Sequence, residues 1–315
     1  MTEPSTGATD DLEATRAFWQ DLGLPGLFDA HVHFLPPRLQ ARVWAQFDDA
    51  GPKIGREWPI RYRGNQEERV EQLRSFGVRR FTALPYAHRP GVATWLNDWA
   101  RAFAAEVPEC VWSATFYPED GVAGYVAELV DAGVEVFKLH TQVGEFYLDD
   151  PMLDEAFGLL EDAGTPIITH VGSGPVGNAF TGPEHLERLL ARHPRLAVVV
   201  AHMGAPEYAE FLALAEANPH LRLDTTMVFT GFFDQEAPYP DDLLARVADL
   251  GDRVLLGSDF PTIPYPYLEQ LEGLRRLADR HPRLGDDFLR RVCWDNAVDL
   301  FGPPGLSRTV GPHEG

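Results

Sequence analysis

From Leu27 onward the sequence alternates short β-rich runs with amphipathic stretches, and this repetition constrains the fold more than any other feature. Eight strand candidates fall at 27–34, 78–84, 110–117, 134–140, 166–171, 196–203, 221–228 and 253–259. Between them lie helical patterns: Tyr208, Phe211, Leu212 and Ala215 mark one apolar stripe, and Leu186, Leu189 and Leu190 another. Gly77, Gly133, Gly164 and Gly251 each follow a helical stretch and precede a strand, where a left-handed residue closes a helix at little cost. Arg-His-Pro-Arg-Leu, found at 192–196 and again at 280–284, reads as a second kind of helix exit, so His193 and His281 take structural roles.

Serial right-handed crossovers place each new strand beside the last, so eight such units close into a parallel barrel. The expected fold is therefore α/β: a distorted (β/α)8 TIM barrel over residues 27–302, with an N-terminal helical arm at 1–26 and a tail at 303–315. An extra helix at 285–301 closes the domain, and 35–65 reads as a long aromatic loop after the first strand. A doubly wound open sheet is the fallback, but no GxGxxG follows the first strand. Nothing in the pattern suggests a second domain.

With 315 residues, 44% of them apolar and 24% charged, the chain has enough apolar side chains to build a full core. Its net charge of −21 argues against a nucleic-acid or anionic-membrane partner; the expected partner is a small-molecule substrate, and a homo-oligomer is compatible with the sequence. Cys110 and Cys293 form no CxxC pair and read as buried thiols. The first residues are polar and acidic rather than basic and then apolar, and no apolar run approaches a membrane span, so a cytoplasmic protein is expected.

The chemistry-bearing residues sit on several strands. Asp29, His31 and His33 alternate along the first strand and so share one face, which in a barrel is the interior. Two imidazoles spaced this way can ligate one ion, whereas packing both into an apolar layer would leave polar nitrogens unsatisfied. His170 and His202 each close an apolar run, and Leu255-Leu256-Gly257-Ser258-Asp259 closes another with a carboxylate. All lie at carboxyl-terminal strand ends, the rim where barrels build their sites. Three imidazoles and a carboxylate suit Zn²⁺, with Mn²⁺, Fe²⁺ or Co²⁺ also compatible.

Val134-Glu-Val-Phe-Lys138-Leu-His140 puts two further functional side chains on one face. Lys138 would grip an acidic substrate, carry a carboxylate that bridges two metals, or pair with Glu145 or Asp29. His88 and Arg89, after the second strand, either line the pocket or belong to a surface loop. His185, His220 and His313 read as structural.

Taken together as an ordered set, Asp-x-His-x-His at 29–33, His170, His202-Met-Gly and Gly257-Ser-Asp-Phe-Pro resemble the amidohydrolase superfamily. The closing Asn296-Ala-Val-Asp-Leu-Phe-Gly302 resembles the last helix of its amidohydrolase-related branch, which includes aminocarboxymuconate semialdehyde decarboxylase. The resemblance implies a distorted TIM barrel with one divalent metal held by His31, His33, His170 and Asp259, and His202 beside it. Lys138-x-His140 resembles the Lys-x-His of binuclear members, so a carboxylated Lys138 would imply a second ion.

Two activities follow as expectations. The first is a metal-dependent hydrolase of a small carboxylated or cyclic amide or ester: an activated water attacks the carbonyl, Asp259 shuttles the proton and His202 stabilises the oxyanion. Lys138, His140, His88 and Arg89 would contact substrate. The second is a nonoxidative metal-dependent decarboxylase of an aromatic or muconate-type acid. A third reading, from another class, is a catalytically silent metal-binding barrel.

Overall fold

The computed structural model describes residues 6–303, which divide into two compact units. The first comprises the chain up to Phe81 together with Asp224–Ala297, and the second comprises Thr82–Leu223 with the chain from Val298. Strands occur in all eight expected segments: β1 (Leu27–Asp29), β2 (Val78–Thr82), β3 (Cys110–Val111), β4 (Ser113–Thr115), β5 (Val136–His140), β6 (Ile167–His170), β7 (Val198–Val200), β8 (Leu221–Asp224) and β9 (Val254–Leu255). The third candidate is split in two. At Trp112 the backbone N–H donates to the Glu135 carboxylate at 2.8 Å, and this residue separates β3 from β4.

In the first unit, β1 runs parallel to β2 with Asp29 opposite Phe81. On its other side the chain after β1 meets the chain after β9: Ala30 N–H donates to Leu256 O, and His33 N–H to Phe260 O, both at 2.8 Å. Thr225 N–H in turn donates to Leu255 O at 2.9 Å, so the residues after β8 continue the series. The loop expected at 35–65 is corrected here, because it contains the helices Pro37–Asp48 and Ala50–Ile54. Pro37 occupies the first turn, where its missing N–H costs nothing, and Leu39, Val43 and Phe47 supply the helical spacing.

In the second unit β4, β5, β6, β7 and β8 pair in sequence order, all parallel. Their registers align carboxyl-terminal ends, with Thr115 opposite Lys138 and His140 opposite His170. Val198, Val199 and Val200 are fully buried, as expected for a parallel strand covered on both faces.

The helix exits behave as their sequences suggest at three of four glycines: Gly77, Gly133 and Gly164 take φ of 87°, 89° and 63°. Gly251 does not, since the helix Leu244–Asp249 ends instead at Leu250, whose N–H donates back to the carbonyls of Arg246 and Val247. The helices Pro183–Arg192 and Tyr267–Arg280 stop at the two Arg-His-Pro sequences. The closing helical segment runs as Asp286–Arg290 and Asn296–Phe301 with a π turn, Arg291–Asp295, between them. Among the described residues, no helix is long and apolar enough to cross a membrane.

Candidate metal centre

The first unit brings three of the expected ligands together. Leaving β1, the chain continues in extended pairing, so His31 and His33 fall on one side, 1% and 8% exposed. Their Nε2 atoms lie 3.2 Å apart. Asp259 enters from the turn after β9; its Oδ1 is 3.0 Å from His33 Nε2 and 3.7 Å from His31 Nε2. Two ligands bound at about 2.0–2.1 Å to one tetrahedral ion stand about 3.4 Å apart, so these three spacings fit the edges of one coordination sphere. Asp259 has a φ of 69°, a left-handed conformation that costs a non-glycine residue energy and that the surroundings must hold.

Those surroundings are polar and buried. Asp224, at the end of β8, accepts from His31 Nδ1 at 2.8 Å, which leaves the Nε2 lone pair facing the other two ligands. Asp29 takes four donors: His31 N–H (3.2 Å), Ser258 N–H (3.1 Å), Ser258 Oγ (2.5 Å) and Tyr267 OH (2.9 Å). Burial pushes its carboxyl up to about 7, against the lowering pull of those hydrogen bonds. Asp259 N–H closes the arrangement by donating to His31 O at 2.9 Å.

The second unit assembles the other expected residues. Lys138 is fully buried on β5, and its carbonyl accepts from Thr115 Oγ1 at 2.8 Å. His140 and His170, opposite each other on β5 and β6, stack with ring centroids 4.2 Å apart and an interplanar angle of 11°. His202 meets His170 edge-on at 4.9 Å. His170 Nε2 donates to Gly174 O at 3.1 Å. His202 and Met203 both adopt left-handed backbone, φ 54° and 51°, in the turn after β7. Tyr86 packs on His140 at 5.2 Å, while His88 and Arg89 lie exposed on the same loop.

Two of the histidines read as structural, His185 and His193, have carboxylate partners, and His313 lies outside the described residues. His185 Nδ1 pairs with Asp149 at 2.7 Å, and His193 Nε2 with Asp154 at 3.3 Å. Cys110 and Cys293 are both buried, as expected, and are not joined in a disulfide. Sequence reasoning missed Asp224, Ser258 and Tyr267. For Asp224 the signal was present: Leu221-Arg-Leu-Asp is an apolar run closed by a carboxylate, the same pattern that singles out Asp259.

Comparison with known proteins bears on the family and the fold. The family model for amidohydrolases matches residues 28–302. An uncharacterized TIM-barrel protein from Bordetella bronchiseptica is 21% identical with a TM-score of 0.67, covering 87% of this chain and 98% of that one. A 5-carboxyvanillate decarboxylase from Sphingomonas paucimobilis is 17% identical with a TM-score of 0.61, covering 88% and 99%. A dihydroxybenzoic acid decarboxylase from Polaromonas sp. JS666, solved with bound manganese and the inhibitor 2-nitroresorcinol, is 16% identical with a TM-score of 0.61, covering 88% and 97%. No curated protein matches the chain. At such identities the structural likeness speaks for the fold, and the fold is the TIM barrel that the sequence predicts. With the family model spanning nearly all of the barrel segment, the chain belongs to the amidohydrolase family.

Proposed function

We propose that the protein is a metal-dependent, nonoxidative decarboxylase of a small aromatic or muconate-type acid. The observation that carries metal dependence is the convergence of His31 Nε2, His33 Nε2 and Asp259 Oδ1, all within 4.8 Å of one another. Two neutral imidazoles and one carboxylate form a donor set that fits a divalent ion and leaves positions for substrate. Decarboxylation is preferred to hydrolysis because solved proteins that share the fold decarboxylate carboxyvanillate and dihydroxybenzoate. Manganese stands beside zinc as the ion, since one of those proteins binds it and the donor set accepts either.

Bound there, a divalent ion supplies Lewis acidity towards the oxygens of an acidic substrate. The chain's own residues do the rest. His31, its Nδ1 proton held by Asp224, keeps Nε2 as a donor atom. Asp259 turns Oδ1 to the imidazoles, while Oδ2 accepts from Thr262 Oγ1 at 3.4 Å, so one oxygen can ligate and the other can take up and deliver a proton. In decarboxylation that proton goes to the carbon bearing the carboxylate, the carbon–carbon bond breaks, and its electron pair stays on that carbon as CO₂ leaves.

The test is to load the purified protein with Mn²⁺ or Zn²⁺ and supply hydroxybenzoates, carboxyvanillate and muconate-type acids, alongside lactones and amides. Release of CO₂ supports the proposal. Ring opening of lactones or amides without CO₂ would instead establish the hydrolase, and inertness of every metal form would establish the silent barrel.

A further inference from the structure

We infer that the first turn of the Tyr267–Arg280 helix is the element that holds the His31–His33–Asp259 cluster in ligating geometry, through Tyr267 and Gln270. Neither residue belongs to the cluster, and the inference rests on that cluster being a metal site.

Tyr267 and Gln270 stand three residues apart, so their side chains leave the same face of the helix. Both are fully buried, which is unusual for two polar residues unless each is satisfied. Tyr267 OH donates to Asp29 Oδ2 at 2.9 Å, and its ring is fixed by stacking on Phe76, with centroids 4.8 Å apart and an 18° interplanar angle. Asp29 passes that constraint to both ligand-bearing segments at once, because its Oδ1 accepts from His31 N–H and from Ser258 N–H, the residue before Asp259. Ser258 Oγ donates to the same carboxylate and accepts from Phe260 N–H at 3.0 Å, so the residues on both sides of Asp259 are pinned. That pinning holds Asp259 at its left-handed φ of 69°.

Gln270 works on the other support. Its Oε1 accepts from Met227 N–H at 3.0 Å, and its Nε2 donates to Thr225 O at 2.8 Å. These bonds fix the turn that begins at Asp224, the carboxylate that orients the His31 imidazole. One helical turn thus secures the backbone of His31 and Asp259 through Asp29, and the side chain of His31 through the segment carrying Asp224. Tyr267 and Gln270 are positioning residues: neither ligates, and each acts through a carboxylate or its supporting loop.

The experiment measures the Kd of Mn²⁺ by competition with a chromophoric chelator for the wild type, Tyr267→Phe and Gln270→Met, together with Tm with and without the ion. Tyr267→Phe keeps the stacked ring and removes only the hydroxyl; Gln270→Met keeps the volume. We expect each to weaken Mn²⁺ binding by about tenfold or more, as loss of a supporting contact around metal ligands typically does, and to shrink the Tm rise produced by the ion. Should one variant fail to fold, the other decides. Wild-type Kd in a folded variant, with Tm lowered equally in the free and loaded forms, would show a purely structural role and overturn the inference while leaving the metal site intact. Failure of the wild type to bind any divalent ion would overturn both.

Discussion

His31 Nδ1 and Asp224 Oδ2 lie 2.8 Å apart, both side chains withdrawn from solvent, and this contact decides which nitrogen of His31 faces the candidate metal. A carboxylate on Nδ1 fixes the tautomer, aims the ring and raises the basicity of Nε2. Asp224→Asn preserves the shape but not the charge. Affinity for Mn²⁺ or Zn²⁺ is expected to fall about 10–100-fold, and any CO₂ release to recover when excess metal is supplied. Isothermal titration with the ion checks this; an unchanged affinity would make the pair a packing feature only.

Asp259 is assigned two tasks, ligation and proton transfer. Asp259→Asn should therefore reduce turnover by at least about 10²-fold, the usual scale for losing a general acid or base, while near-ultraviolet circular dichroism shows the fold retained. Full activity in a folded variant would remove Asp259 from the chemistry.

Acid stability gives a test away from the centre. Burial alone would raise the Asp149 carboxyl, but hydrogen bonds from Arg188 and His185 outweigh it and hold the group below its ordinary 3.8. Asp154 is depressed likewise, with Arg192 and His193 overcoming the effect of burial. The folded carboxylates bind protons less readily than the unfolded ones, so their contribution is fully present above the unfolded value and is lost as pH falls through the folded one. Scanning calorimetry should show Tm dropping below about pH 4, with a shallower slope in Asp149→Asn. Identical slopes would assign the acid sensitivity elsewhere.

The sequence made the strand order and the rim residues legible because both depend on local pattern: apolar runs ending in His170, His202 or Asp259 are visible without coordinates. The helix Pro37–Asp48 was hidden by its prolines and its aromatic, loop-like flanks, although Leu39, Val43 and Phe47 keep helical spacing. The support of the site was less legible for a different reason. Tyr267 and Gln270 serve Asp29 and Thr225, 45 positions away in sequence in the nearer case, and nothing local marks a buried tyrosine as the partner of a particular carboxylate. Asp224 lay in an expected strand, but its task is visible only once His31 is beside it.

The proposed function stands on His31, His33 and Asp259 holding a divalent ion. Its most direct test is the metal bound per chain, by elemental analysis after dialysis against Mn²⁺ or Zn²⁺, in the wild type and in a His31→Ala/His33→Ala double variant. About one ion per chain is expected in the wild type and almost none in the folded variant. A metal-free wild type, or equal metal in both proteins, would contradict it.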